Sequence, residues 1–510
     1  MRATSLKSGP VVMHSRQQQT SEQSVIGGMK RRTFMQSLCV LGAGLALPSA
    51  ARASEGEELA TLLDISKCIA CGACVQACRE LNAQKFPEPV KPFPTMYPAR
   101  VKAEDWSGRR DVDTRLTPYN WLYIQSCEVE YQGQRQVLNI PRRCLHCQNP
   151  PCANLCPWGA AAKMENGIVR IAPDICLGGA KCRDVCPWEI PQRQTGVGLY
   201  LHLLPAFAGN GVMYKCDRCH ERVARGEKPA CVEVCPEGVQ EIGPRSLMLA
   251  KARQLAQEKQ GFLYGDKENG GTNTFYVSPV PFDILAQAVP TGPGQPHLRD
   301  VADVMADETR LAAAVFLAPV AGVASIALRG AAALKGPLSG EHEGLAAAAR
   351  PESDAATAPE TVRKGKRRLL FPFIMTVLAI TGMAQMPIFK RYYVADVPGL
   401  GWTADFYLTH KLHYAAAAIL LFLLCHAAVR YVLTGRRHFR LTASGTVRVL
   451  LYAAISGTGL LRVIKNLHGF DLSPLTALAT DWGHLIAVLL LGLVCLVGAA
   501  WGHSAYLRRR

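Results

Sequence analysis

No long apolar run occurs before about Leu311, although the hydrophobic fraction of the 510 residues is 49%. That unevenness excludes a single uniformly mixed globule and predicts a soluble half followed by a membrane half. No phosphate-binding loop is present, and the Gly270-Gly271 pair does not make one; no nucleophile triad is present either. Nucleotide-driven and triad chemistry are therefore excluded. Acidic residues are outnumbered, 40 against 57 basic, for a formal charge of +17. Yet no basic module rich in aromatics accompanies that charge, which excludes nucleic acid as the partner. The basic residues flank apolar runs instead, as membrane topology requires.

Cysteine is plentiful. Of 19 cysteines, 15 fall in four compact groups between Cys68 and Cys235. The groups are Cys68, Cys71, Cys74 and Cys78; Cys144, Cys147, Cys152 and Cys156; Cys176, Cys182 and Cys186; and Cys216, Cys219, Cys231 and Cys235. Cysteines two or three residues apart are badly placed for disulfides across a domain and well placed to wrap one metal centre. Zinc ribbons also use close cysteine pairs, but they take one tetrahedral set at a time. The Cys68-x2-Cys71-x2-Cys74-x3-Cys78 run has ferredoxin spacing, in which three thiolates take corners of one cubane and the next cysteine serves a neighbouring cluster. Proline follows Cys156, Cys186 and Cys235, ending the short helix that carries each exchanged cysteine.

The third group lacks a cysteine. Gly179 stands where the second ligand belongs, and glycine offers no side-chain donor. The expectation is three [4Fe-4S] clusters and one [3Fe-4S] cluster. A four-iron cluster with a foreign fourth ligand and an empty site are the alternatives. Cys127 stands outside the groups as a buried thiol, Cys39 leaves with the signal, and Cys425 and Cys495 pack within apolar helices.

Arg31-Arg32, an apolar stretch from Leu38 to Leu47 and Ala51-Arg52-Ala53 make a twin-arginine export signal with a cleavage site. Translation starts at Met1 or at Met29. Further along, apolar runs at Leu311–Leu328, Leu369–Phe389, Phe406–Leu433, Val447–Ile464 and Trp482–Tyr506 each approach the ~20 residues that a bilayer needs. With the cysteine groups exported, the linker and the segments holding Arg436, Arg437, Arg440 and Arg508-Arg509-Arg510 lie inside. The reading is a bacterial inner-membrane protein with its cluster domain in the periplasm and its C-terminus in the cytoplasm.

Histidine inside a membrane helix is costly and points to haem. His410, His413 and His484 lie toward the outer side, and His426 and His503 toward the inner side. At helical rise His410 to His426 spans about 24 Å, and His484 to His503 about 28 Å. Depth pairs His410 or His413 with His484, and His426 with His503, for one or two b-type haems. Rotation fits less well, because the two histidines of one helix do not share a face. An interfacial or quinone-site role is the alternative for some of them.

Residues 60–290 resemble the iron–sulfur subunits of respiratory oxidoreductases, of the periplasmic formate dehydrogenase and uptake nickel–iron hydrogenase type. The resemblance is carried by Asp64-Ile-Ser-Lys-Cys68, Arg143-Cys-Leu-His-Cys147, Tyr214-Lys-Cys216-Asp-Arg-Cys219, Lys228-Pro-Ala-Cys231 and Leu263-Tyr-Gly-Asp-Lys-Glu-Asn-Gly-Gly271-Thr. It implies an α+β fold of two fused ferredoxin-like units, each a dicluster unit, followed by an all-α transmembrane bundle. It also implies the ligand sets: Cys68, Cys71, Cys74 and Cys235; Cys216, Cys219, Cys231 and Cys78; Cys144, Cys147, Cys152 and Cys186; and the incomplete Cys176, Cys182 and Cys156, nearest the membrane.

The membrane half resembles cytochrome b subunits of formate dehydrogenases but lacks their first-helix histidine. The expected organisation is a signal over 1–53, a four-cluster domain over 54–300 and an anchor helix over 308–330. A cytoplasmic linker over 331–368 and a four-helix cytochrome b-like domain over 369–510 follow. The implied function is non-catalytic electron transfer from a molybdenum, tungsten or nickel–iron subunit through the clusters to haem and quinone. Formate is the first candidate fuel and hydrogen the second. A self-sufficient quinol dehydrogenase feeding a periplasmic acceptor and a zinc-stabilised scaffold are the alternatives from other classes.

One prediction needs only the sequence. Replacing Arg31 and Arg32 by lysine should trap the precursor in the cytoplasm, read by fractionation and immunoblot; normal export would refute the signal.

Overall fold

A computed structural model of the chain describes residues 57–98, 101–203, 205–207, 209–334, 367–386, 394–467, 470, 472–502 and 505–510. The expected export signal with Arg31-Arg32, most of the expected linker, and His503 lie outside the described residues.

The soluble half is organised by one small sheet. Strand β1 (Leu59–Asp64) precedes helix α1 (Ala73–Asn82) and a hairpin of β2 (Tyr123–Tyr131) and β3 (Gln134–Arg142). Next come α2 (Pro151–Asn154), the hairpin β4 (Ala161–Lys163) and β5 (Val169–Ile171), α3 (Lys181–Asp184), and the hairpin β6 (Gln192–Gln194) and β7 (Val212–Tyr214). Then follow α4 (His220–Ala224), α5 (Ala230–Glu233), β8 (Gln240–Pro244), α6 (Arg245–Glu258), β9 (Phe262–Tyr264), β10 (Thr274–Ser278) and α7 (Phe282–Ala288). The sheet order is β8-β1-β10-β9, with β1 parallel to β10 and antiparallel to β8. Chain segments from opposite ends of the domain thus close one sheet.

Side chains alternate across that sheet, as strands dictate. Ala60 and Leu62 of β1 and Phe275 and Val277 of β10 pack on Ala252 and Ala256 of α6. Leu63 and Tyr276 face the other way, into a core shared with Tyr123, Val129, Leu138 and Ile140 of the β2–β3 hairpin. That hairpin turns through Gln132 and Gly133, both at positive φ (51° and 72°), the backbone of a turn that matches strand twist.

The membrane half comprises α8 (Glu308–Leu334), α9 (Arg367–Ala384), α10 (Phe406–Leu433), α11 (Ala443–Asn466) and α12 (Pro474–Ala500). Among the described residues four helical segments are long and apolar enough to cross a bilayer: Glu308–Leu328, Phe406–Leu433, Ala443–Asn466 and Leu475–Ala500. In α9 the apolar part is shorter, Leu369–Ala384; the last residues of the run expected there lie beyond the described end of the helix.

Two boundaries differ from expectation, and capping explains both. Helix α12 starts eight residues before Trp482, because the Ser473 side chain accepts from Thr476 N at 3.2 Å and Pro474 occupies the first turn. It ends at Ala500, near Gly502 at φ +69°, so Tyr506 is not helical. Likewise the Thr442 hydroxyl, accepting from Gly445 N at 2.8 Å, starts α11 before the apolar run.

Helix α10 lies on α8 and α9, while α11 lies on α12 and α8. A Cβ at Gly322 of α8 would stand 2.6 Å from the Phe422 carbonyl, so the α8–α10 crossing depends on a small residue. Leu489, Leu493 and Leu496 are exposed along α12, the kind of surface that a bilayer covers. At one end of the bundle, strand β11 (Phe439–Leu441) pairs with β12 (Leu507–Arg509), setting Arg440 opposite Arg508.

Gly211 has φ +118°, and a Cβ there would run into the Gln194 carbonyl of the paired strand. Gly211→Ala should therefore destabilise the soluble half by about 2–3 kcal/mol, seen as a lowered midpoint of thermal unfolding.

Candidate functional site

Four loops carry the cysteine groups, and they share one backbone turn. The residue two after the first cysteine is left-handed in each: Ala70 (φ 56°), His146 (φ 49°), Gly178 (φ 65°) and Arg218 (φ 53°). Three of these are not glycine, so the conformation is held against its cost. Such a turn aims successive N–H groups inward. Thus Gly178 N donates to Cys176 Sγ at 3.5 Å and Arg218 N to Cys216 Sγ at 3.4 Å. The third loop keeps this turn although Gly179 replaces a cysteine. Gly179 itself is exposed, whereas Cys176 is buried.

Three of the four last cysteines follow a single helical turn, Cys156 after α2, Cys186 after α3 and Cys235 after α5, while Cys78 lies within α1. Those turns deliver the cysteines to foreign loops. Cys68, Cys71, Cys74 and Cys235 line one cavity, with Ile124, Pro141 and Val239. Cys144, Cys147, Cys152 and Cys186 line a second, with Val169, Trp188 and Lys215. Cys78 is pushed well up by burial and then by Cys216, Cys231 and Cys219. Cys182 is raised likewise by burial, Cys176 and Cys156. Two cavities thus each bring together cysteines from separate loops, and Cys78 and Cys182 have cysteines of other loops as neighbours.

The sets form a row. Burial and then Cys231, of the second set, push Cys74 of the first up to about 12. Among the neighbours of Cys216 is Cys144 of the third set. Cys152, of that third set, lies beside Cys182 of the fourth. At the free end Cys71 is exposed and Ile69 is 61% exposed.

So many thiols share a small volume only as neutral groups or with positive charge between them. Three fully covered cations supply part of it. Arg143 Nη1 donates to Cys231 Sγ at 2.8 Å, and its pKa is raised by the surrounding sulfurs against the cost of burial. Lys215 stands by Cys144 and Cys152. The Arg218 guanidinium bonds to the Asn273 carbonyl at 2.7 Å and to Thr274 Oγ1 at 3.0 Å. Sequence reading quoted these three residues without assigning them a role; a basic residue beside a cysteine in each motif was the available signal. Donor atoms remain buried without a protein partner at Arg143 Nε and Nη2, Arg218 Nε and His146 Nε2, all on or beside the cysteine loops. Soft thiolate donors with spare N–H groups around them fit sulfide-bridged iron. Among the described residues no three Cys, His, Asp or Glu side chains converge on a point for a single ion.

The fourth set abuts the helices. Its core includes Phe406, and Tyr407 packs against it. The Tyr407 hydroxyl donates to the Val185 carbonyl at 2.6 Å. Trp158, two residues after Cys156, meets Trp482 at 5.4 Å between ring centroids.

Just inside the bundle stand the histidines. His413 Nδ1 is 2.9 Å from Thr381 Oγ1, and that hydroxyl is 2.7 Å from the Val377 carbonyl. The hydroxyl has one proton, and the carbonyl can only accept it. Nδ1–H therefore donates to Thr381, leaving the lone pair on Nε2. His484 repeats this with Thr458 at 3.0 Å and the Ala454 carbonyl at 2.7 Å. His426 does so with Ser325 at 2.7 Å and the Gly322 carbonyl at 2.7 Å. A glycine follows each threonine; a Cβ at Gly382 would lie 3.2 Å from His413 Cε1, and one at Gly459 3.4 Å from His484 Cε1. The repeated Thr-Gly pair inside two apolar helices was a legible signal that sequence reading passed over. His413 and His484 lie within electrostatic reach of one another.

His410 differs. Its Nε2 is 2.8 Å from Glu308 Oε2, both side chains buried, and its ring lies 4.4 Å from that of Tyr414. Of the two outer-side histidines on α10, only His413 has the hydroxyl-paired Nδ1 that sets Nε2 free. Cys127 is buried in the β2–β3 core, as expected.

Comparison with known proteins adds the family. Two models described as 4Fe-4S dicluster domain match residues 67–160 and 135–245. The Escherichia coli O157:H7 protein described as hydrogenase-2 operon protein HybA is 29% identical over 300 residues, half of this chain and 83% of that one. The nitrate-inducible formate dehydrogenase iron–sulfur subunit of Escherichia coli K12 is 31% identical over 228 residues, 43% of this chain and 68% of that one. The formate dehydrogenase-O iron–sulfur subunit of the same strain is 32% identical, covering 43% and 67%. Two dicluster domains followed by four membrane-capable helices make a mixed α and β architecture of the expected class.

The His410–Glu308 pair generates a prediction of its own. Glu308→Leu leaves a buried imidazole nitrogen without its hydrogen-bond partner and should cost about 1–3 kcal/mol, read as a lower unfolding temperature in detergent.

Proposed function

The chain belongs to the family of iron–sulfur subunits of the formate dehydrogenase and hydrogenase type, and from that premise we propose that it carries electrons between a catalytic subunit and the membrane through four clusters and b-type haem. The observation that carries this reading is the row of cysteine sets running from the exposed Cys71 loop to Phe406 and Trp482 of the membrane helices. Three sets would hold [4Fe-4S] clusters: Cys68, Cys71, Cys74 and Cys235; Cys216, Cys219, Cys231 and Cys78; and Cys144, Cys147, Cys152 and Cys186. Cys176, Cys182 and Cys156 would hold a [3Fe-4S] cluster, a reading supported by the intact left-handed turn at Gly178. These groups supply one-electron redox centres when bound. The chain's own part is to line them up, exclude water from all but the outermost set and offset their charge with Arg143, Lys215 and Arg218.

His413 on α10 and His484 on α12 are the residues that would hold a haem, each turned by its threonine so that Nε2 keeps its lone pair. His426 is similarly prepared, and its second-haem pairing with His503 is carried over from the sequence. Quinone is the proposed terminal partner in the membrane.

The cluster domain meets one end of the bundle, and Arg440 and Arg508 lie together in another segment flanking the spans. That arrangement, with Arg31-Arg32, supports clusters on the periplasmic side of a bacterial inner membrane and a cytoplasmic C-terminus. The domain limits proposed are 54–300 for the clusters and 369–510 for the cytochrome b-like part, with the helix at 308–330 as anchor. The proposed fuel is formate; the longer match to the hydrogenase-2 operon protein favours hydrogen as the second reading.

Purification of the complex in detergent followed by metal analysis tests the proposal. The expected count is about 15 iron atoms per chain besides haem iron, with molybdenum or tungsten in a formate-type complex and nickel in a hydrogen-type one. A zinc-bearing, iron-free protein would overturn it. His413→Ala and His484→Ala should each abolish the same b-type absorbance while His410→Ala spares it. Equal spectra in all three variants would refute that role for His413 and His484.

A further inference from the structure

Lys181 sits between the incomplete site and the membrane helices, and the electron-transfer reading gives it no task. It directly precedes Cys182, on the first turn of α3 after left-handed Ala180 (φ 58°). Only 4% of it is exposed. Its ammonium donates to the Gln385 carbonyl at 2.9 Å and to Gln385 Oε1 at 2.7 Å, and it lies 4.6 Å from the Phe406 ring centroid. Gln385 immediately follows α9, so the lysine caps the negative end of that helix. The amide of Gln385 is oriented for this, because its Nε2 donates to the Phe406 carbonyl at 3.0 Å and to Thr409 Oγ1 at 2.6 Å.

No carboxylate is among the hydrogen-bond partners of this ammonium. Asp481, the acid in its neighbourhood, is held by Arg462 at 2.8 Å and Lys465 at 3.2 Å. A buried cation is expensive unless an anion answers it. Besides Asp481, the anionic group beside it is the fourth cysteine set, whose Cys182 directly follows it. Adding an electron there adds negative charge beside a fixed positive one, and in a low-dielectric setting that favours the reduced form.

We infer that Lys181 is a positioning residue that seats the fourth site on the end of α9 and raises its reduction potential above that of the other three. The inference rests on the proposed cofactor at Cys176, Cys182 and Cys156. No bond forms or breaks; one electron from the neighbouring site reduces the fourth and is passed on to the bundle. Thr381, which orients His413, lies one helical turn before Gln385. The helix end that the lysine caps thus also presents the threonine of the proposed haem ligand.

The test is a redox titration of the purified complex, following the paramagnetic signal of the oxidised three-iron site, the four-iron signals and the b-type absorbance together. Lys181→Met and Lys181→Gln should each shift the three-iron midpoint downward, changing its equilibrium with the haem about tenfold, or ~59 mV for one electron. The four-iron midpoints should not move, and Lys181→Arg should restore the original value. A three-iron signal with an unmoved midpoint in both neutral variants would overturn the inference alone. So would loss of that signal in both with the other centres intact, which would make the lysine a structural prop. An unsubstituted protein without a three-iron signal would overturn the cofactor reading and this inference with it.

Discussion

Fifteen cysteine sulfurs gathered into one small domain create a concentration of potential negative charge that folding must answer, and the rest of the soluble half is arranged around that demand. Burial and mutual repulsion raise the thiol pKa values, with Cys74 and Cys216 pushed up to about 12. Binding metal exchanges thiol protons for iron and leaves anionic centres. Arg143, Lys215 and Arg218 are buried at the places where neighbouring sets meet, which offsets charge between centres. The sheet of β1, β8, β9 and β10 contributes by bringing chain ends together, so that a cysteine from one loop can complete the set of another.

The same constraint explains the junction with the membrane half. The set lacking a thiolate lies against the helices, with the third set beside Tyr407, and the junction is made of polar and aromatic contacts rather than of a further cysteine. Tyr407 and Gln385 come from helix termini and Trp482 from the third turn of α12; just past the end of α9 the Gln385 carbonyl is free to accept a hydrogen bond. A domain that docks on helix ends keeps the sides of the bundle apolar for lipid, as the exposed leucines of α12 require.

Inside the bundle, the histidines are prepared by neighbours on other helices. A threonine or serine hydroxyl already committed to its own helix carbonyl leaves each imidazole one arrangement, Nδ1–H toward the hydroxyl and Nε2 outward. His410 lacks such a neighbour and has a carboxylate instead. Both environments are apolar, and a single contact separates a residue prepared to bind a metal from one that stabilises a helix crossing.

Much of this was legible in the residues themselves. Cysteine spacing is local, so the four groups, the missing ligand at Gly179 and the prolines that end each delivery turn could be read directly. Apolar run length likewise marked the membrane half, because bilayer thickness sets it. Helix starts at Ser473 and Thr442 were misplaced, since caps lie outside the apolar runs. What only the tertiary structure decided was partnership. Which loop receives Cys78, Cys156, Cys186 or Cys235 depends on a sheet joining β1 to β10 across some two hundred residues. That Lys181 meets Gln385, or that His413 and not His410 meets a threonine, depends on how helices rotate against one another. Spacing along a chain determines what one loop can hold, and packing determines what that loop faces.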